Sequence, residues 1–410
     1  MRRMGIWSTL FVVSLVCKAL GGAYTATVLY PLQGPGNFVD TQLNGGPQSI
    51  IAGQAMGAAW PATFSPIHAI LWTSTGTPID LHPTKLSGLV DSQAGATDGV
   101  HQVGEADDAS GNSHAILWNS SPDSAIDLSP VNLNGIINSG AGSIAGNQQA
   151  GSGWGAPVGG LVNFHPLLWH GTAASAVDLS PTNLTGITSS LIYATDGPQQ
   201  VGQGKGTGTG NTWHAMLWSG TANSAVDLGA SIGIDSFAFA VRGNQQVGWD
   251  TVGNSSGALL WKGTAQSVVS LTPTNLGSVN SAQALDTNGI QQVGLYGFLD
   301  GFTGMNVGHA VVWSGTADSA VDLHSFLPAS GIWSNSAAGT IDASGIIYGN
   351  AYGSYQGMSG HFIVEWTPVP EPSAMALIAL VSFGLVARRR RPTPAGRLLT
   401  ASSTTFRRLG

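Results

Sequence analysis

The stretch HAVVWSGTADSAVDL (residues 309–323) sets two short apolar runs on either side of a turn built from small residues. Variants of its first half recur as HAILW, HAILW, HPLLW, HAMLW, GALLW and HFIVEW, placing tryptophans at Trp72, Trp118, Trp169, Trp218, Trp261, Trp313 and Trp366. The spacings are 46, 51, 49, 43, 52 and 53 residues, the period of a propeller blade rather than of a solenoid coil. A phrase such as HQVG, NQQAG, PQQVG or NQQVG precedes each, and PIDL, AIDL, AVDL or VVSL follows most of them. Each unit thus holds three clear short strands and a fainter fourth, such as SFAFAVRG or SAQALDTNG. Seven four-stranded units predict an all-β, seven-bladed β-propeller.

The last unit decides how the ring closes. After HFIVEW no further repeat strand follows, so the seventh blade lacks its outer strand. The segment YTATVLYPL (residues 24–32) precedes the first unit with no partner of its own. The QVG glycine follows the VDL aspartate by 24 residues at Asp80–Gly104, Asp127–Gly151 and Asp178–Gly202, and counting back 24 from Gly53 reaches Leu29. The N-terminal strand is therefore expected to complete the last blade, removing an open sheet edge that would template aggregation.

Composition agrees with that architecture. Charged residues make up 9% of the 410-residue chain and glycine 58 positions, too apolar for disorder and too glycine-rich for a helical protein. Between residues 24 and 367 the basic side chains are Lys85, Lys205, Arg242 and Lys262, against 20 acidic ones, a net charge of −16. Such a body argues against nucleic-acid binding, which needs clustered Lys and Arg to neutralise phosphates. The single cysteine, Cys17, lies in an N-terminal leader, so disulfides do not hold the body together.

The repeated histidines look catalytic at first sight. Placing Gly315-Thr316 at the centre of a two-residue hairpin sets His309 directly opposite Asp322, and the loop Ser120-Ser121 does the same for His114 and Asp127. The fifth unit has Gly257 where the histidine belongs and Ser270 where the aspartate belongs. Joint loss is what a mutually satisfied polar pair predicts. His68, His114, His165, His214 and His309 are therefore read as strand-pinning partners, spread one per blade rather than gathered as metal ligands. His361 lacks its aspartate, since Leu29 stands there. No catalytic, cofactor-binding or metal residues are assigned.

Function is expected on one face. From the glycine of the QVG phrase to the tryptophan the gap is 19, 14, 18, 16, 13, 19 and 17 residues, while the outer hairpin barely changes. In a four-stranded meander the loop between the second and third strands shares a face with the blade-to-blade connection, so variation gathers on one side of the disc, where binding residues tend to sit. Trp154, Phe164, Trp213, Tyr296, Phe298 and Phe302 are the aromatic candidates there. Other motif spellings fail on context. GQGKGTGTG (residues 202–210) precedes no helix that could hold a phosphate. GNSSG around Ser255 runs into a strand, not the helix of a nucleophile elbow. Glu105, Asp107 and Asp108 are the one candidate for structural calcium, without the alternating ladder of a known calcium loop; the expected cofactor is none.

Both ends read as addresses. Met1-Arg2-Arg3, the apolar GIWSTLFVVSLV and the small residues LGGA give a signal peptide over residues 1–23, leaving residues 24–367 as the propeller. PVPEPSAMALIALVSFGLVARRRR combines a Pro-rich turn, 14 residues of largely apolar character (374–387) that would meet a membrane, and Arg388–Arg391 as a cytoplasmic stop. Residues 368–391 resemble the PEP-CTERM sorting signal of Gram-negative bacteria, which implies handling by an exosortase in an exopolysaccharide-producing cell envelope. Residues 392–410 read as a disordered tail. The HAxLW, DL and QQVG phrases over residues 45–366 resemble the HAF family of extracellular repeats, although the GTLGG that usually follows DL is replaced here by SPTNL. The resulting expectation is an exported, non-enzymatic scaffold at the surface or in the matrix, binding glycans or proteins. The alternatives are an extracellular carbohydrate-active enzyme, which needs paired carboxylates at the central funnel, or an ice- or surface-adsorbing protein.

Overall fold

Runs of five to nine Val-, Ile-, Ala- and aromatic-rich residues, each cut short by Gly or Asn turns, are too brief for helices and pair with their chain neighbours. The computed structural model describes residues 23–36, 38–43, 48–61, 66–155, 162–299 and 306–369. No α-helix occurs among them, and none is long and apolar enough to cross a membrane. The leader (residues 1–22), the candidate span 374–387 and the tail 392–410 lie outside the described residues.

The strands form seven antiparallel sheets. Blade two is representative: Leu89–Thr97 is innermost, followed outward by Gln102–Asp108, Ser113–Trp118 and Ile126–Asp127. Blade one adds a fifth short strand, Ile50–Ile51, beside Gln54–Pro61. Seven apolar clusters occupy the seven blade interfaces. In each, the repeat tryptophan of one blade packs against the sheet of the preceding one, as Trp169 does against Val103, Leu117 and Leu128, and all seven tryptophans are fully buried. Trp366 also donates its indole N–H to the Leu323 carbonyl of the preceding blade at 2.9 Å.

The ring closes as expected. Tyr24–Pro31 pairs antiparallel with Met358–Pro368 as the outermost strand of blade seven. The seam continues into blade one: the Tyr30 hydroxyl donates to the Gly53 carbonyl at 2.6 Å, and the Trp72 indole to the Gln33 carbonyl at 2.7 Å.

Three details of the sequence reading are corrected. The glycine of blade one equivalent to Gly104 is Gly57, not Gly53: Gly57 faces Ile70 as Gly104 faces Ile116, whereas Gly53 is a turn residue at φ 76°. The first glycine-to-tryptophan gap is therefore shorter than counted. Correspondingly, Val28 rather than Leu29 faces the strand; Leu29 is the bulged residue between Val28 and Tyr30.

The outer hairpin is also wider than a two-residue turn. A single 3₁₀ turn, Ala317–Ser319, fills it, so Asp322 faces Val311 instead of His309. Ser319 holds that turn, accepting from the Ser314 N–H and donating to the Thr316 carbonyl. Blade two behaves alike, with Asp127 opposite Ile116. Because the slip is two residues, His and Asp stay on the same side of the sheet and meet diagonally.

The recurrent QVG glycine has a steric cause. Each inner strand from blade two onward carries a bulge beside this glycine, such as that between Ala94 and Ala96. A Cβ on Gly104 would collide with the Gln93 carbonyl oxygen, and the equivalents Gly57, Gly151, Gly202, Gly248, Gly294 and Gly349 meet the same obstacle.

Candidate functional site

Hydrogen bonds lace one face of the ring. On the face carrying the inner hairpin turns, hydrogen bonds run from blade to blade. The Gln48 carbonyl accepts from Thr97 N–H, and its side chain from Ser143 Oγ at 2.8 Å and Ile144 N–H at 3.1 Å, tying blade one to blades two and three. Thr195 N–H donates to Ser143, Gly243 N–H to Asp196, Thr287 Oγ1 to Gln245, Asn288 Nδ2 to the Asp342 carbonyl and Thr340 Oγ1 to the Ile50 carbonyl. These bonds lace that end of the ring from blade one round to blade seven. The polar groups named are committed to one another.

Space opens along the inner strands. A cavity of about 470 Å³ opens among the inner strands of blades two to five, lined by Gln93, Glu105, Ser152, Trp154, Tyr193 and Phe239 together with glycines that keep the wall open. Its size lies in the range of small-molecule sites. The rings continue one another: Tyr193 and Phe239 lie 5.6 Å apart, Phe239 and Trp249 5.0 Å, Trp249 and Phe237 5.5 Å, and Trp154 and Phe164 5.7 Å. All are partly accessible. Glu105 faces this space with its carboxylate against Gly140, where an added Cβ would stand 2.7 Å from Oε2. Burial, and then the charge of Asp107, raise the Glu105 carboxyl above its ordinary value.

The structure brings some of the sequence candidates here and not others. Trp154 lines the cavity and Phe164 packs on it. Trp213 instead carries the Lys205 ammonium over its ring at 4.5 Å, and Tyr296 is buried beside His309. Phe302 and the side chain of Phe298 lie outside the described residues. The acidic trio does not converge. Asp107 accepts from Ser113 Oγ, Asp108 from the Ser110 and Asn112 amides, and Glu105 points into the cavity. Among the described residues no three His, Cys, Asp or Glu side chains form a metal-binding group. Ser255 begins a strand straight after a hairpin turn, and Gly202 lies inside one. Tyr193, Phe237, Phe239 and Trp249 were missed by sequence reading; the aromatic alternation in SFAFAVR was the available signal.

Each histidine expected to pin a strand does so. Nδ1 to Oδ2 distances are 2.7 Å for His68–Asp80, 2.9 Å for His114–Asp127, 2.8 Å for His165–Asp178, 2.9 Å for His214–Asp227 and 3.3 Å for His309–Asp322. The Asp178 hydrogen bond outweighs partial burial and raises His165. Burial works against the charge on Asp178, yet bonds from His165 and Ser180 hold it below its usual value. In blade five Asp250 takes over, accepting the Gly257 N–H at 3.0 Å, and a side chain at 257 would strike it. In blade seven Phe362, fully buried, occupies the histidine position, while His361 packs on Tyr352.

Blades one and six add a second histidine after the Asp-Leu pair. His82 stacks on His68 at 4.3 Å and His324 on His309 at 3.8 Å. Burial, followed by the charge of His309, depresses His324 to about 4, so it stays neutral beside its neighbour. These groups lie between strands and none of them lines the cavity.

Residues 368–391 match the family described as "PEP-CTERM protein-sorting motif", which implies export and handling by exosortase-type sorting machinery. A search of curated proteins finds no match. Among solved structures, Pyrococcus horikoshii acylaminoacyl peptidase is similar at 8% identity and TM-score 0.42, over 82% of this chain and 52% of that one. TolB from Acinetobacter baumannii is similar at 10% identity and TM-score 0.37, over 78% and 80%. The polysaccharide lyase Uly1 is similar at 7% identity and TM-score 0.39, over 85% and 99%. The chain thus spans about half the length of the peptidase. What the matched segment identifies is a chain carrying a PEP-CTERM sorting signal behind a seven-bladed β-propeller.

Proposed function

We propose that this chain is an exported, non-enzymatic scaffold of the cell surface or matrix that binds glycans in the cavity among the inner strands of blades two to five. The observation that carries the reading is the aromatic wall of Trp154, Tyr193 and Phe239 beside Gln93, Glu105 and Ser152 in one cavity. Aromatic faces stack on the apolar C–H faces of sugar rings, while a few placed polar groups fix the hydroxyls. Glu105 is the sole carboxylate lining this cavity among the described residues, and glycoside hydrolysis ordinarily needs two. The sorting signal supplies a matching context, the outside of an envelope where polysaccharide is the abundant polymer.

The test is a glycan array and an exopolysaccharide pull-down, run beside a hydrolase and lyase screen. Trp154→Ala and Phe239→Ala are expected to weaken binding by about fivefold or more each, since stacking contributes about 1 kcal/mol or more per ring. Turnover abolished by Glu105→Gln overturns the non-enzymatic part; binding untouched by both aromatic changes overturns the site.

A further inference from the structure

Glu105 brings to the site a charge that a neutral sugar can hydrogen-bond but not balance. Its carboxylate forms no hydrogen bond or ion pair with the described residues, although a desolvated carboxylate in a cavity is ordinarily stabilised by donors or a counter-charge. The four cations of the body stand elsewhere. Lys205 lies over Trp213, Lys85 is 3.6 Å from Asp123, Arg242 lines a separate cavity on the laced face, and Lys262 follows Trp261 near the outer hairpin. The cavity therefore combines an unneutralised acid, three aromatic rings and no basic side chain, inside a body of net charge −16.

Resting on the glycan reading above, we propose that the ligand is a cationic glycan, a polymer bearing free amino groups such as deacetylated amino sugars, with one ammonium held between the Glu105 carboxylate and the rings of Trp154, Tyr193 and Phe239. Ring faces are negative at their centres and attract ammonium groups, more strongly once desolvated. An ammonium beside Glu105 supplies the donors and the charge that the protein withholds. A uronate or sulfated polymer meets like charge with no cation to offset it. A neutral chain stacks equally well and can donate hydroxyls to the acid, but it brings no counter-charge. The acidic body adds long-range attraction for such a polycation.

The experiment measures calorimetric binding of the full-length chain in mild detergent at about pH 6. Its probes are glucosamine tetramer, N-acetylglucosamine tetramer and tetragalacturonate. Glucosamine tetramer is expected to bind at least about tenfold more tightly than the acetylated form, the scale of one charge-assisted contact, and galacturonate least. Glu105→Gln preserves shape and is expected to erase that preference. Asp318→Asn removes an equal charge at an exposed outer turn and is expected to leave it intact, which separates a site from diffuse attraction. An unchanged melting temperature for Glu105→Gln confirms that folding is not the cause. Acetylated and free tetramers binding alike, or Glu105→Gln keeping the preference, refutes the proposal while leaving glycan binding standing. If none of the three binds, both readings fall.

Discussion

Asp286 offers a test of the laced face whose sign and size follow from its surroundings. It sits at the bulge of the inner strand Ser281–Thr287 in blade six, 7% exposed, and accepts the Ile341 N–H of blade seven at 3.0 Å. Burial pushes its carboxyl from 3.8 up to about 6, against the opposing pull of the Ile341 and Thr287 amides and of Arg242. An acid whose folded value lies above its unfolded one favours the folded state only while protonated. Well below pH 3.8 the group is neutral in both states; as pH rises towards 6 the unfolded state loses its proton first, and stability declines. Above pH 6 the charged, buried carboxylate costs the fold about 3 kcal/mol, at about 1.4 kcal/mol per unit. Asp286→Asn retains an oxygen to accept the Ile341 N–H and removes the titration. Any packing cost of the amide is independent of pH, so the quantity to read is the slope. The difference in unfolding free energy between variant and parent should grow by about 2.4 kcal/mol in the variant's favour from pH 4 to pH 7. At about 2.1 cal/mol/K per residue over the propeller body, that is a gain of about 3 °C in melting temperature. Urea titrations at four pH values, with calorimetry, give the measurement. A difference that stays flat across that window refutes the claim that Asp286 is held neutral by burial.

Other outcomes follow from geometry already described. Removing residues 24–31 strips blade seven of its outer strand and exposes the edge of Met358–Pro368, so the melting temperature should fall by about 10 °C or more with concentration-dependent aggregation; light scattering beside calorimetry checks it, and an unchanged melt excludes ring closure by this strand. Gly202→Ala drives a Cβ into the Leu191 carbonyl and should cost about 2–4 kcal/mol, whereas Gly233→Ala, at a positive-φ turn with open space around it, should cost about 1 kcal/mol; chemical denaturation ranks the two. In a proton-detected histidine titration, His165 should titrate above the ordinary imidazole value and His324 near 4. Equal midpoints for the two would remove the stacked and paired environments assigned to them.

What the sequence disclosed was whatever every blade must repeat. Trp118 and its six counterparts each fill the same interface, the QVG glycine meets the same bulged strand, and the His–Asp pair pins the same hairpin, so these positions vary little and stand out by period. The wall of the cavity obeys no such constraint. Tyr193, Phe237 and Phe239 lie on inner strands whose axial face has no repeated neighbour, and the positions equivalent to them differ from blade to blade. The fine register was hidden for another reason. Ser319 and Ala317–Ser319 build a short 3₁₀ turn from residues that spell an ordinary loop, and the two-residue shift leaves every side chain on its correct side. Gly53 misled because blade one breaks its inner segment into Phe38–Leu43 and Ile50–Ile51, placing a turn glycine where the repeat spelling looked complete.

The pairing of Tyr24 with Pro368 has a consequence for how the molecule comes into being. Two segments separated by nearly the whole chain must find each other before the circle exists, and bringing such distant ends together costs about 5 kcal/mol in configurational entropy. During synthesis the first strand emerges early and waits, unpaired, until the last blade is made. A product cut short anywhere before residue 358 lacks the partner of Tyr24–Pro31 and keeps that strand unpaired, which turns a broken chain into an adhesive one.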